Sequence, residues 1–219
     1  MSALGLYTYC RSSAAYRVRI ALNYKGLSFE PHYVHLVNDG GQHLQPAYRA
    51  INPQALVPAL REGEQVLTQS LAIIEYLEET HPTPRLLPQG VWRRAQARAL
   101  AAAVACDIHP LNNLRVLRYL QQQLGVDEAG KQAWYVHWIH EGFKAIETHL
   151  AQLGGGPFCF GAEVTVADVV LTPQVYNAKR FNCPLDEFPR IRAVYEACMA
   201  LAPFRDAAPE AQPDFGNPS

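Results

Sequence analysis

Hydrophobic and polar positions change period along the chain in an order that outlines its elements. Leu4, Leu6 and Thr8 alternate on one face of a short apolar segment, the mark of a buried strand. The segment breaks at Arg11-Ser12-Ser13. Val18, Ala21 and Leu22 then recur at helical spacing until Lys25-Gly26, a C-terminal stop. Phe29 to Leu36 reads as a second strand, and Pro31 assigns at least part of it to a sheet edge, because proline cannot donate to a ladder. Val37 to Pro46 is polar and glycine-rich, a loop long enough to reach over a ligand. Ala59 to Arg61 and Gln65 to Leu67 flank Glu62-Gly63-Glu64, a hairpin signal. Gln69-Ser70 opens a helix with Leu71, Ile74 and Leu77 on one face, ending near His81-Pro82. The order is βαβ followed by ββα.

Beyond the prolines of Pro82 to Pro88 the strand period disappears. Arg93 to Gln123 reads as one or two long helices, with Pro110 expected to kink or break the run. Gln132 to Leu153 is another helix, stopped by Gly154-Gly155-Gly156, and Pro189 to Leu201 is a further one. Between them, Val164-Thr165-Val166-Ala167-Asp168-Val169 specifies a helix start: Thr165 caps, Asp168 answers it, and Val164 staples onto Val169. Pro173 is expected to bend that helix. The tail from Pro203, rich in proline, alanine and polar residues, is expected to be extended over the surface or frayed. No internal repeat is present. The pattern predicts an α/β domain at residues 1–84 and an all-α domain at 89–212.

Composition narrows the function classes. A chain of 219 residues, 49% of them hydrophobic, can build a real core, so wholesale disorder is excluded. The formal net charge is −1 with no basic run, which argues against nucleic-acid binding. Charges interrupt the apolar runs well short of a membrane span. The N-terminus enters a strand with no signal-peptide pattern, so a cytoplasmic location is the expectation. Cys10, Cys106, Cys159, Cys183 and Cys198 form neither a C-x-x-C pair nor a zinc spacing, and the last four read as small buried hydrophobes. His137, His140 and Glu141 stand close in sequence, but the H-E-x-x-H order and a third ligand are missing, so a helix surface is the better reading and no metal is expected.

The chemistry concentrates at Tyr7 to Leu22. Strand, polar turn and helix follow each other, with two hydroxyls and a guanidinium at the helix N-terminus, where free N–H groups and the helix dipole favour an anion. A thiolate there has a depressed pKa. Cys10 precedes the turn and no cysteine lies inside it, so the working sulfur is either that of Cys10 or one brought by a cofactor.

Arg11-Ser12-Ser13 followed by Tyr16-Arg17-Val18-Arg19-Ile20-Ala21-Leu22 resembles the zeta class of glutathione transferases, the maleylacetoacetate isomerases. So do Asn52-Pro53 with Val57-Pro58, the run from Gln69 to Glu79, and Pro82 to Pro88. In the second half, Asp107 to Asn113, Pro173-Gln174-Val175 and Arg180-Phe181 fit as well, so the resemblance covers nearly the whole chain. It implies a thioredoxin-like α/β N-terminal domain, an all-α C-terminal domain, a homodimer and glutathione as cofactor. One departure matters: Ala14 stands where the class usually carries a cysteine, so the serines and the glutathione sulfur must suffice.

Carried onto this chain, the resemblance implies a role for each site residue. Ser12 and Ser13, with Arg11 beside them, are the catalytic group, hydroxyls donating to a glutathione thiolate; the rival reading of either serine is a plain N-cap. Val57-Pro58 is the position of a cis-proline whose preceding backbone pairs with glutathione like an added strand. Gln69 and Ser70 cradle the γ-glutamyl carboxylate, with a plain helix cap as the rival reading; His43 faces the glycyl end; and Asp107 reaches the γ-glutamyl amine across a dimer interface, with a solvated helix-face carboxylate as its rival. His109 and Asn113 line the glutathione and substrate pockets. Arg11, Arg115 and Arg180 are read from their chemistry as anchors for the carboxylates of a diacid, Arg180 with the firmer support from the resemblance and Arg115 with a plain solvated charge as its rival reading. Cys10 falls at the strand end as a buried hydrophobe, with a C-x-x-S redox role as its rival.

The function implied is glutathione-dependent cis–trans isomerisation of maleylacetoacetate to fumarylacetoacetate in aromatic amino-acid catabolism, with a glutathione transferase side activity. The alternatives are a maleylpyruvate isomerase of the gentisate route, a glutathione-conjugating or dehalogenating transferase, and a non-catalytic carrier. Against the carrier stand the arginines, which apolar cargo does not need.

Overall fold

The computed structural model describes residues 3–216. The chain forms two compact units, Met1–Leu86 together with Met199–Ser219, and Leu87–Cys198.

The first unit contains β1 (Leu4–Thr8), α1 (Ser13–Tyr24), β2 (Phe29–Tyr33), α2 (Pro46–Ile51), β3 (Ala59–Glu62), β4 (Gln65–Thr68) and α3 (Ser70–Thr80). The sheet order is β2-β1-β3-β4, with β1 parallel to β2 and antiparallel to β3. A parallel pair needs a crossover, and α1 supplies it. The antiparallel β3–β4 pair closes through Gly63-Glu64, where Gly63 takes φ 58°. β2 is an edge strand, as Pro31 requires. Val18, Ile20, Ala21 and Leu22 of α1 are fully buried, as are Leu6 and Leu60 of the sheet.

Two details differ from the pattern reading. β2 stops at Tyr33, because His35 turns the chain: its Nδ1 accepts the N–H groups of Val37 (3.1 Å) and Asn38 (2.8 Å). α2 was not anticipated, since six residues are too few to show a period; Pro46 in its first turn was the only cue.

The second unit contains α4 (Val91–Ala102), α5 (Leu114–Gln122), α6 (Glu128–Gln152), α7 (Val166–Arg180) and α8 (Pro189–Met199). Between α4 and α5 the chain runs as a π-helical turn over 103–108 and a 3-10 turn over 109–112, the break expected around Pro110. α6 begins at Glu128 rather than Gln132, because the Asp127 side chain caps it by accepting Gly130 N–H at 2.8 Å. At α7, the wholly buried Asp168 carboxylate accepts Thr165 N–H (2.8 Å), Thr165 Oγ1–H (2.8 Å) and Cys159 N–H (2.7 Å). Val164 and Val169 are both buried, and the helix continues through Pro173 to Arg180.

Residues 202–216 pack onto the first unit instead of fraying, and by contact they group with it rather than with Leu87–Cys198. α9 (Ala202–Arg205) packs against α1, where Tyr16 Oη–H donates to Phe204 O at 3.0 Å and Arg19 Nε–H to Ala207 O at 3.0 Å. Phe204 and Ala207 are fully buried. Two phenylalanines, Phe204 and Phe215, anchor a stretch whose proline and alanine content conceals them.

Candidate active site

The turn after β1 is built by its own backbone. Ser12 N–H donates to Tyr9 O (3.0 Å), and Ser12 is the N-cap of α1, with Oγ accepting Ala15 N–H at 3.2 Å. A hydroxyl that accepts from the backbone keeps its own proton to donate. Capping and donation to an anion are therefore compatible in Ser12, not alternatives. Ser13 is the first residue of α1, and both serines are buried. Arg11 is exposed, with its guanidinium carbon 5.2 Å from the centre of the Phe215 ring.

Cys10 is 1% exposed; its N–H donates to Asp214 Oδ2 at 2.9 Å, and its Sγ lies 3.6 Å from Asp214 O. Burial first, and the Asp214 carboxylate second, push the thiol up to about 11. A thiol so placed is mostly protonated at neutral pH, which fits the buried-hydrophobe reading of Cys10 better than a nucleophile. Cys159, Cys183 and Cys198 are buried as expected, but Cys106 is exposed. It lies on the outer side of the π-helical turn whose Val104 and Ile108 face inward.

The loop before β3 and the start of α3 form the second group. Val57-Pro58 is cis. Tyr48 Oη–H and Asn52 Nδ2–H both donate to Leu56 O at 2.7 Å, fixing the residue before Val57. Val57 is 7% exposed and, among the described residues, enters no hydrogen bond. A buried peptide unit needs a partner, and an extended peptide-like ligand would supply one. Gln69, the N-cap of α3, is exposed with φ 72° and ψ 114° and caps with no side chain; its Nε2–H donates to Gln54 Oε1 at 2.9 Å. Such a left-handed φ costs a non-glycine residue about 1–3 kcal/mol and tends to cluster at ligand sites. Ser70 Oγ accepts Arg17 Nη1–H at 3.2 Å, from a guanidinium 2% exposed. That donation leaves the Ser70 proton available to a carboxylate. His43 is buried in the 3-10 turn Gln42–Leu44, its ring folded so closely over Gly41 (φ 101°) that a Cβ there would stand 2.6 Å from Cε1.

In the second unit, Asp107, His109, Asn113 and Arg115 share one irregular stretch. Asp107 and Arg115 are exposed, and Asn113 caps α5 by accepting Arg115 N–H at 3.1 Å. The stretch is held against α6: Trp134 Nε1–H donates to Leu111 O at 2.8 Å, and Gly142 leaves room for Ile108, whose Cδ1 would stand 2.2 Å from an added Cβ. Arg180 is exposed at the end of α7, 5.2 Å over the Phe181 ring, which stacks on Tyr135. Among the described residues no three His, Cys, Asp or Glu side chains gather to hold a metal; His140 contacts Pro184 O and Glu141 pairs with Lys144.

Sequence reasoning missed the supports of the site: Asn52 and Tyr48 behind Val57, Arg17 behind Ser70, and Asp214 with Phe215 behind the serine turn. Two arginines inside the apolar run from Tyr16 to Leu22 were the available signal, because a cation in a buried helix implies acceptors around it.

Comparisons with known proteins identify the family. The model of the glutathione S-transferase N-terminal domain matches residues 6–85, and that of the C-terminal domain matches residues 129–197. A probable maleylacetoacetate isomerase of Vibrio cholerae is 49% identical over 98% of this chain and 99% of the relative. A solved maleylpyruvate isomerase, described as a bacterial glutathione S-transferase of the zeta class, is 52% identical with a TM-score of 0.93, covering 96% of this chain and 99% of that one. A maleylacetoacetate isomerase from Methylobacterium extorquens, solved with malonate and GSH bound, is 40% identical with a TM-score of 0.92, covering 98% of this chain and 100% of that one. On family models that span both halves, and on identity of this level from end to end, the chain belongs to the glutathione transferase family, in its zeta, maleylacetoacetate isomerase class.

Proposed function

We propose that the protein is a glutathione-dependent cis–trans isomerase that converts maleylacetoacetate to fumarylacetoacetate in aromatic amino-acid catabolism, with a glutathione transferase side activity. The observation that carries the reading is the near end-to-end similarity to proteins of that name. The first unit fits glutathione: an unpaired peptide unit at Val57, a helix start at Gln69-Ser70 for a carboxylate, and the Ser12 hydroxyl at a second helix start. Bound there, glutathione supplies a thiol whose reversible addition to a conjugated cis double bond permits rotation to trans.

The chain's own residues do the rest. Ser12 donates its hydroxyl proton toward the sulfur and so favours the ionised form, with Ser13 beside it. Ser70 and Gln69 receive the γ-glutamyl carboxylate, His43 serves the glycyl end, and Asp107, His109 and Asn113 complete the glutathione and substrate contacts. Arg11, Arg115 and Arg180 grip the substrate carboxylates bidentately, holding the diacid in one orientation and stabilising negative charge that develops beside them. The same reading includes a cytoplasmic homodimer. Support for the dimer comes from exposed Val91 and Trp92 side by side at the start of α4. No helix among the described residues is long and apolar enough to cross a membrane.

The test is product analysis. Maleylacetoacetate should give fumarylacetoacetate only in the presence of glutathione, with no net glutathione loss. Stoichiometric consumption would instead make the protein a conjugating transferase. A higher kcat/KM on maleylpyruvate would replace the proposed substrate by that of the gentisate route.

A further inference from the structure

The C-terminal segment returns to the turn that carries Arg11, Ser12 and Ser13, and three contacts hold it there. The Asp214 carboxylate accepts Cys10 N–H at 2.9 Å. The Arg19 guanidinium, 1% exposed, donates to Ala207 O (3.0 Å), Thr8 Oγ1 (2.9 Å), Tyr9 O (3.2 Å) and Cys10 O (2.9 Å), tying the segment to the strand end through one group. Phe215 packs on the cluster of Tyr9, Cys10, Val34, Tyr48 and Val57, with the Arg11 guanidinium over its ring. The Arg11 backbone and charge also face the Cys10 sulfur, but among the described residues no side-chain hydrogen bond or ion pair holds the guanidinium itself. An exposed arginine without a partner samples many rotamers, whereas a ring taking one face of the guanidinium restricts it and leaves the N–H edge free for a carboxylate.

We propose that Phe215 is a positioning residue for the reaction: it orients the Arg11 guanidinium toward a substrate carboxylate, and the Asp214–Cys10 contact seats Phe215 beside the turn. The proposal rests on Arg11 as a carboxylate anchor, part of the function proposed above. Binding of a dicarboxylate that does not react separates the two.

The measurement is the Kd of malonate for the glutathione-saturated protein, with the Kd of glutathione and the kcat and KM for maleylacetoacetate in parallel. Phe215→Leu keeps an apolar plug without a π face, and Phe215→Trp keeps both. Phe215→Leu should weaken malonate about fivefold and raise the KM of the diacid alike, with glutathione affinity changed less than about twofold. Phe215→Trp should restore malonate binding. In an Arg11→Ala background, Phe215→Leu should have no further effect on malonate, which a general loosening of the fold would not reproduce. If Phe215→Leu folds poorly, Phe215→Met makes the same comparison. Equal losses of glutathione and malonate, an unchanged malonate Kd, or a wild-type protein blind to malonate would each overturn the proposal. A wild-type protein that binds malonate yet leaves maleylacetoacetate unchanged would refute the isomerase reading while the Phe215 comparison still stands on malonate.

Discussion

Ser12 has one job in the fold and a second in the proposed reaction, and substitution can separate them. Its Oγ caps α1, and its O–H is left for a sulfur. Ser12→Ala removes both and should cost about 1 kcal/mol of stability, from the lost cap. It should also cost roughly two to three orders of magnitude in kcat/KM, the scale of a lost donor to developing charge. Ser12→Asp keeps a capping oxygen but cannot donate at neutral pH, so thermal unfolding should stay near wild type while activity falls as far as in Ser12→Ala. Recovery of activity in Ser12→Asp would deny the donor role. Cys10 gives an independent check, because a thiol pushed up to about 11 is ionised in only about one molecule in a thousand near pH 8. Iodoacetamide applied to the native protein should therefore modify the exposed Cys106 and spare Cys10, as peptide mapping would show. Rapid labelling of Cys10 would reopen its candidacy as the nucleophile.

At the level of elements, α1 shows what a hydrophobic pattern reveals and what it hides. Its apolar spacing and polar start were readable, and so was its end at Gly26, where φ is 66°. Its burial on nearly every side was not, because a period reports one covered face while here α3 and α9 both pack on the helix. Arg19 belongs to the face that α9 and the following segment cover. Removing it should strand the buried carbonyls of Cys10 and Ala207 and the Thr8 hydroxyl, and leave Tyr9 O with Ser12 N–H as its donor. Arg19→Ala is expected to cost about 3–5 kcal/mol in urea unfolding, and a loss under 1 kcal/mol would mean the clamp is not a structural support. α2 and the C-terminal segment escaped prediction for related reasons. A helix of six residues has no measurable period, and single aromatics in a proline-rich tail declare neither that they are buried nor against what. The capping box at the start of α7 was readable, since Thr165 and its answering Asp168 are local in sequence.

For the molecule as a whole, the change from mixed to purely helical pattern at Pro82 to Pro88 falls where the two units divide, between Leu86 and Leu87. That division was legible because the strand period simply ends. The return of the chain to the first unit after Met199 was not, because it depends on contacts between residues about two hundred positions apart, such as Cys10 with Asp214. Val91 and Trp92 are 84% and 76% exposed, the kind of adjacent apolar pair that a partner subunit covers. Trp92→Glu should accordingly turn a dimer into a monomer by light scattering, and a wild-type protein already monomeric would remove the homodimer from the proposed function. The central claim is that the reacting sulfur arrives with glutathione and is held ionised at the Ser12 turn. Ultraviolet titration of the bound thiolate tests it most directly. The thiol of bound glutathione should ionise well below free glutathione in the wild type and in Cys10→Ala, and return toward the free value in Ser12→Ala. An unshifted thiol in the wild type, or a shift that survives Ser12→Ala and vanishes in Cys10→Ala, would contradict the account.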